Sequence, residues 1–207
     1  MSPFKNKTEV QNTLSKYIPK PFISYASELL QNSGIEFRIV APRKTKLGDF
    51  RMHSRKRSRA MITINGNLNP YAFLITFLHE MAHLHAYNKY NLGIKAHGKE
   101  WKYEFQQLLK PLIDAKEFPE NLKQRLLVSV KNTKASSCSD MGLSRELRKF
   151  DLKTNTIPLE DICIGDTFKL NKKSFKKGKL RRTRYLCIEL NTGNGYLIHA
   201  LAEVNSL

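Results

Sequence analysis

The chain is 207 residues long and carries 36 Lys+Arg against 18 Asp+Glu, a formal charge of +18. Its 41% hydrophobic content supports a packed core and excludes wholesale disorder. The longest uncharged apolar run, Tyr71–Leu78, is too short for a membrane span. The opening MSPFKNKTEV has no apolar leader, and Cys138, Cys163 and Cys187 form no CxxC pair, so a reducing cytoplasm is expected and a disulfide framework is not.

In chain order, Thr8–Ile18 reads as a short helix with Val10, Leu14 and Ile18 on one face, broken by Pro19 and Pro21. A second helix spans Phe22–Ser33 and stops at Gly34. Ile35–Val40 alternates as a strand, and Leu47–Met52 and Ala60–Ile64 follow as two more. Asn69-Pro70 is a strong helix start, with a capping side chain and proline at the first helical position. The helix it opens, Tyr71–Tyr90, is almost continuously apolar in its first half, as for a helix in the middle of a domain, and Gly93 ends it. Further helices are expected at Gly98–Lys110, stopping at Pro111, and at Pro119–Lys131. Asn132–Asp140 is polar and reads as a linker. From about Thr156 short alternating stretches predict a small β appendage. The organisation is therefore α+β, with a core over residues 1–112, a helical segment and linker over 113–155, and a basic β-rich part over 156–207.

The positive charge is concentrated in two stretches that hold sixteen of the eighteen excess charges. Arg43, Lys44, Lys46, Arg51, Arg55, Lys56, Arg57 and Arg59 face Asp49 alone. The second stretch, with no acid, holds Lys169, Lys172, Lys173, Lys176, Lys177, Lys179, Arg181, Arg182 and Arg184. Phe50, Phe168, Phe175 and Tyr185 are interleaved with them. One such run is commonly a solvated face; two together predict a phosphate-contacting surface for DNA.

His79-Glu80-Met81-Ala82-His83 is an H-E-x-x-H motif inside the long helix. Residues four apart share a helix face, with Cβ atoms about 5–6 Å apart, so both imidazoles can reach one zinc at about 2.0–2.1 Å. Glu80 then lies beside the ion and not on it, where a general base belongs. A catalytic site needs a third protein ligand. His97 is the best candidate and Glu100 its rival: the chain from Tyr90 to His97 reaches at most about 23–25 Å, ample for a return over the helix, and His97 stands at a helix start beside Gly98, where a close approach is easy. Glu100 could instead orient an imidazole. Tyr87, four residues beyond His83, is a supporting or wall residue, whereas His85, His53 and His199 carry no expected role.

Four segments together resemble the SprT-like family of zinc metalloproteases, which includes the eukaryotic protease Spartan: TKLGDF (Thr45–Phe50), ITINGNL (Ile62–Leu68), FLHEMAHL (Phe77–Leu84) and AHGKEW (Ala96–Trp101). The resemblance covers about residues 10–112 and implies a zincin-like fold, helices on a small mixed sheet, with one catalytic Zn2+. It implies His79, His83 and His97 as ligands, Glu80 as general base, and Trp101 as a packing residue. In such enzymes an edge strand receives the substrate backbone, and Ala60–Ile64 is the expected strand. Many relatives end in a zinc ribbon with paired cysteines; here Cys187 stands alone, so the appendage resembles a ribbon without its metal and no second structural zinc is expected. The function implied is a monomeric zinc endopeptidase acting on nucleic-acid-associated proteins in the cytoplasm or nucleoid, without membrane attachment. The competing reading is a nucleic-acid-binding protein whose zinc site is structural or vestigial.

Overall fold

The computed structural model describes residues 7–43, 45–54, 58–90, 93–131, 140–152 and 155–207. The chain divides into two compact units, Met1–Asp151 and Leu152–Leu207. Among the described residues there are six α-helices and two sheets, an α+β composition, and no helix is long and apolar enough to cross a membrane.

The first unit opens with α1 (Lys7–Leu14) and α2 (Ile23–Asn32), followed by the strands β1 (Glu36–Val40), β2 (Gly48–Arg51) and β3 (Met61–Asn65). β3 pairs in parallel with β1 and antiparallel with β2, so the order is β1-β3-β2. This overturns the expectation that Ala60–Ile64 is an edge. Both sides of β3 are occupied, and the edge beside the site is β2.

α3 (Pro70–Tyr90) lies against this sheet. Every residue from Ala72 to Ala82 is buried, which is what an apolar helix in the centre of a core requires. Phe37 of β1 meets Phe77 edge-on at 5.7 Å, and Ile62 and Ile64 of β3 are fully buried in the same core. Asn69 caps the helix as expected, its Oδ1 accepting from Ala72 N at 2.9 Å.

α4 (Lys99–Asp114) runs past Pro111 instead of stopping there. Leu108 and Leu109 before the proline and Leu112 after it are all buried, so packing outweighs the missing backbone donor. α5 (Glu120–Lys131) follows, and α6 (Met141–Arg148) is a helix that the sequence pattern did not predict. Its start is capped by Asp140, whose Oδ1 accepts from Leu143 N at 2.9 Å. The unit continues beyond the expected boundary at 112, because Phe118, Leu122, Leu126 and Leu143 join the core that contains α3. The linker expected at Asn132–Asp140 lies, up to residue 139, outside the described residues, as does Cys138.

The second unit is a six-stranded antiparallel sheet of β4 (Ile157–Pro158), β5 (Thr167–Leu170), β6 (Lys173–Arg181), β7 (Arg184–Glu189), β8 (Gly195–His199) and β9 (Glu203–Ser206), in the order β4-β9-β5-β6-β7-β8. Its core contains Leu159, Phe168, Phe175, Cys187, Ile198 and Val204. The Cys187 side chain is thus a core group, and Cys163 is exposed. The register of β6 on β7 shifts between Lys177 and Leu180. Gly178 sits in that bulge, where an added Cβ would lie 2.2 Å from the Leu186 carbonyl oxygen.

Asn69 does more than cap. Its Nδ2 donates to Leu147 O at 2.9 Å and to an Asp151 oxygen at 2.6 Å, joining the start of α3 to the end of α6. Replacing Asn69 by Ala removes all three bonds and is expected to cost about 2 kcal/mol. Urea unfolding followed by far-UV circular dichroism measures it, and an unchanged midpoint would refute the tie.

Candidate metal centre

His79 and His83 project from α3 and His97 from the turn before α4. The return of the chain uses two backbone conformations outside the usual range: Gly93 at φ 105° and His97 at φ 59°. The second is costly for a residue with a side chain, on the order of 1–3 kcal/mol, and such strain is held where a side chain must be aimed. Gly98 follows, and its N–H donates to Lys95 O at 2.8 Å to close the turn.

His97 Nε2 lies 3.1 Å from His83 Nε2 and 3.1 Å from His79 Nε2. Two nitrogens held about 2.0–2.1 Å from one ion at a tetrahedral angle are separated by about 3.3 Å, so the spacing fits a zinc ion. Ligand atoms of all three lie within 4.8 Å of one another, and this is the sole group of its kind among the described residues. Burial, then the neighbouring His83 and His97, pushes His79 down to about 2. Burial, then His97, pushes His83 down to about 4, and burial lowers His97 as well. All three are therefore neutral at pH 7, the protonation state in which an imidazole nitrogen can bind a metal. Three imidazoles suit zinc and leave room for a fourth, non-protein ligand.

Trp101 is the wall that holds the triad. Its ring centroid is 4.6 Å from that of His79, 4.7 Å from His97 and 5.3 Å from His83, and Nε1 donates to His79 O at 3.4 Å. Behind it, Phe105 stacks at 4.9 Å. The rival ligand Glu100 is not in the group: its carboxylate faces Lys99 Nζ at 3.8 Å. The Tyr87 hydroxyl is 3.3 Å from His53 Nδ1, and its ring centroid is 6.2 Å from that of Phe50.

Glu80 points toward β2 and lines the same cleft as His79, His83 and His97. Burial, then the Asp49 charge, pushes its carboxyl up to about 8 in the metal-free protein, against a backbone hydrogen bond at Phe50 and the charges of Arg43 and Lys46. A cation among the three imidazoles acts in the opposite direction and favours the carboxylate. Burial also raises Asp49, but hydrogen bonds from Lys46 at 2.8 Å and Arg51 at 2.6 Å prevail and hold it below the usual range.

Gly48 and Phe50, both in the TKLGDF segment, shape the site although nothing in their local pattern marks them as site residues. A Cβ on Gly48 would lie 2.6 Å from Glu80 Oε1 and 2.7 Å from Thr76 Cγ2, so only glycine lets β2 pass this close to α3. The Phe50 ring is parallel to His83, 6.2 Å away at 7°. Asn65, buried in β3, holds the approach to β2 by donating from Nδ2 to Arg43 O and Lys46 O. A cleft of about 630 Å³ runs between β2 and the histidines, with Gly48, Phe50, Met52 and Ala96 in its wall.

The cations expected to meet phosphate separate into different classes. Arg43 is committed inward: its guanidinium donates to Asn65 Oδ1 at 2.8 Å and Thr63 Oγ1 at 3.0 Å. Lys46 serves Asp49, and Arg59 is half-buried. Lys44, Arg55, Lys56 and Arg57 lie outside the described residues. In the second unit Lys172, Lys176, Lys179, Arg181, Arg182 and Arg184 are exposed, and Lys173 pairs with Glu189 at 3.0 Å. Lys177 is a correction. It is 3% exposed, donates to Glu160 O and Ile162 O, and lies 3.8 Å from the centre of the Tyr185 ring, so it is a core residue. Phe168 and Phe175, stacked on each other at 5.6 Å, are core as well and offer no ring to a base.

Two measurements probe this arrangement. Gly48→Ala is expected to leave the histidine triad able to bind one zinc while destabilising the fold by about 1–3 kcal/mol, read by metal analysis and urea unfolding. In the metal-free protein His79 and His83 bind protons below the ordinary imidazole value of 6.5 more readily when unfolded than when folded. Glu80, raised in the fold, acts in the opposite sense, but two histidines outweigh one carboxyl between about pH 6.5 and 4.5. The melting temperature of the zinc-free protein should therefore fall across that window. A flat profile would contradict the burial of the triad.

A family model described as SprT-like matches residues 20–124, which is 105 of the 207 residues. No curated protein and no solved structure that was compared matches the chain. The matched span takes in β1 to β3, the long buried helix and the turn that brings in His97, and on that ground the chain belongs to the SprT-like family.

Proposed function

We propose that the protein is a zinc-dependent endopeptidase that acts on nucleic-acid-associated proteins. The association of its family with metallopeptidases supports the first part. The single observation that carries it is Glu80: an ionisable carboxylate buried against the edge strand, next in sequence to one histidine of a three-histidine group. A structural zinc would use four protein ligands and would have no need of that carboxylate.

The residues divide the work. His79, His83 and His97 hold the ion, whose contribution when bound is Lewis acidity toward a carbonyl and a water. Phe50 and Gly48 present β2, whose far side carries no strand among the described residues, to an extended substrate, which adds as the next strand along the cleft. Glu80 takes the proton from the attacking water on a carboxylate oxygen and returns it to the departing amine. Lys46 and Arg51 hold Asp49 ionised nearby, so Glu80 titrates against one fixed negative charge, with the charges of Arg43 and Lys46 acting in the opposite sense. The exposed Lys172, Lys179 and Arg182 of the second unit are the phosphate contacts in this reading.

The test is cleavage of a DNA-binding protein with single-stranded, double-stranded or no DNA, by wild type and Glu80→Gln. Both should retain one zinc, and the variant should be slower by about a hundredfold or more. Equal cleavage by the two would end the protease reading. DNA affinity should fall steeply with salt and weaken further in a Lys172→Glu, Lys179→Glu, Arg182→Glu variant.

A further inference from the structure

The second unit has a face whose apolar floor neither the protease reading nor phosphate contact uses. Strand register sorts its side chains. Phe168, Phe175, Tyr185, Cys187 and Ile198 point to the core side, with Tyr185 opposite Ile198 and Phe168 opposite Phe175. The alternate positions form the outer face: Lys176 opposite Ile188, Ile188 opposite Gly195, Leu186 opposite Leu197, and Arg184 opposite His199. Ile188 is 40% and Leu197 51% exposed. An added Cβ on Gly195 would lie 3.3 Å from Leu186 Cδ1 and 3.8 Å from Ile188 Cδ1, so these two side chains lean over the glycine and floor a shallow depression. Lys169 and Lys176 bound it on one side and Arg184 on the other, and no acid occupies an outward position in β5 to β8 among the described residues.

We propose that this face docks an acidic protein segment that carries apolar side chains, with leucine-like groups on the Leu186–Ile188–Leu197 floor and carboxylates against Lys176, Arg184 and Lys169. Exposed apolar surface ringed by one sign of charge marks a partner of complementary charge. The choice of partner follows from what the face lacks. It has no Phe, Tyr or Trp ring on which a base could stack, its one imidazole, His199, is half-buried with Nδ1 accepting from Leu201 N at 3.2 Å, and its aliphatic floor gains nothing from a sugar-phosphate chain. A second copy would set Lys176 and Arg184 against cations of its own kind, which is repulsive. Leu186 and Ile188 lean over Gly195, which suits a segment laid across the sheet.

The inference is independent of the protease reading, and its test uses the full chain with Glu80→Gln as a control that must bind normally. The probe is a fluorescent peptide alternating leucine and glutamate, followed by anisotropy. Ile188→Glu with Leu197→Glu, and separately Lys176→Glu with Arg184→Glu, should each weaken binding by about tenfold or more, and added salt should weaken wild-type binding. The second pair changes only exposed cations, so loss there cannot be assigned to misfolding of the core. Three results would overturn the proposal. The peptide fails to bind wild type, or binds both variants as well as wild type. Single-stranded DNA displaces it and depends on the cations but not on Ile188 and Leu197. Vesicles of anionic phospholipid bind through the same four substituted residues while the peptide does not.

Discussion

The site depends on how closely β2 can approach α3. At Gly48 the separation is less than a methyl group would need, and the atom that such a group would strike belongs to Glu80. Everything in the cleft follows from that approach. The strand shields the carboxylate from water, carries Phe50 to lie parallel to His83, and leaves its far side turned to the open cleft. The cost of desolvating an acid is met by geometry on both flanks: the backbone of Phe50 hydrogen-bonds it, and cations at Arg43 and Lys46 favour its charged form. Asn65, one strand away, fixes the chain that leads into β2 by bonding two backbone carbonyls. A buried amide in the central strand thereby determines where the general-base candidate can sit.

The third histidine is held by different means. Its turn is strained at His97 and relies on α4 to keep it in place. α4 is attached to α3 at two heights. Trp101 packs on all three imidazoles near its start, and one turn later the buried Glu104 accepts from Lys89 Nζ at 3.0 Å and Tyr90 Oη at 3.3 Å. His85, without an assigned role, also faces that carboxylate at 3.9 Å. The polar clamp lies toward the end of α3 and the aromatic one at the site, so neither competes with the histidines for space.

Much of this was legible in the sequence where a local pattern has a single physical reading. Asn69-Pro70 ahead of an apolar run leaves little besides a capped, buried helix, and a four-residue histidine spacing on it leaves little besides a shared face. The strand order was not legible. Ala60–Ile64 and Leu47–Met52 have similar local patterns, and only the parallel pairing of β1 with β3 decides that β2 is outermost. Lys177 was misread for a related reason: in a stretch of lysines the period-two alternation of a strand is hidden, and one lysine in the row faces the core. α6 escaped because Leu143 is its only fully buried large side chain, too little for a periodic signal. His97 lay between the two. Chain length allowed it and Glu100 alike, and spacing and resemblance together favoured His97.

The three bonds of Asn69 give the fold a temporal order. The amide that starts the histidine-bearing helix takes its last two partners from residues 78 and 82 positions later. A ribosome delivers those residues only after α3, α4 and α5 have all emerged. Until then the start of that helix is capped by Asn69 but lacks its tie to α6. The first unit is therefore tied together only at the close of its synthesis, and a chain arrested before residue 147 would lack the bonds from Asn69 to Leu147 and Asp151.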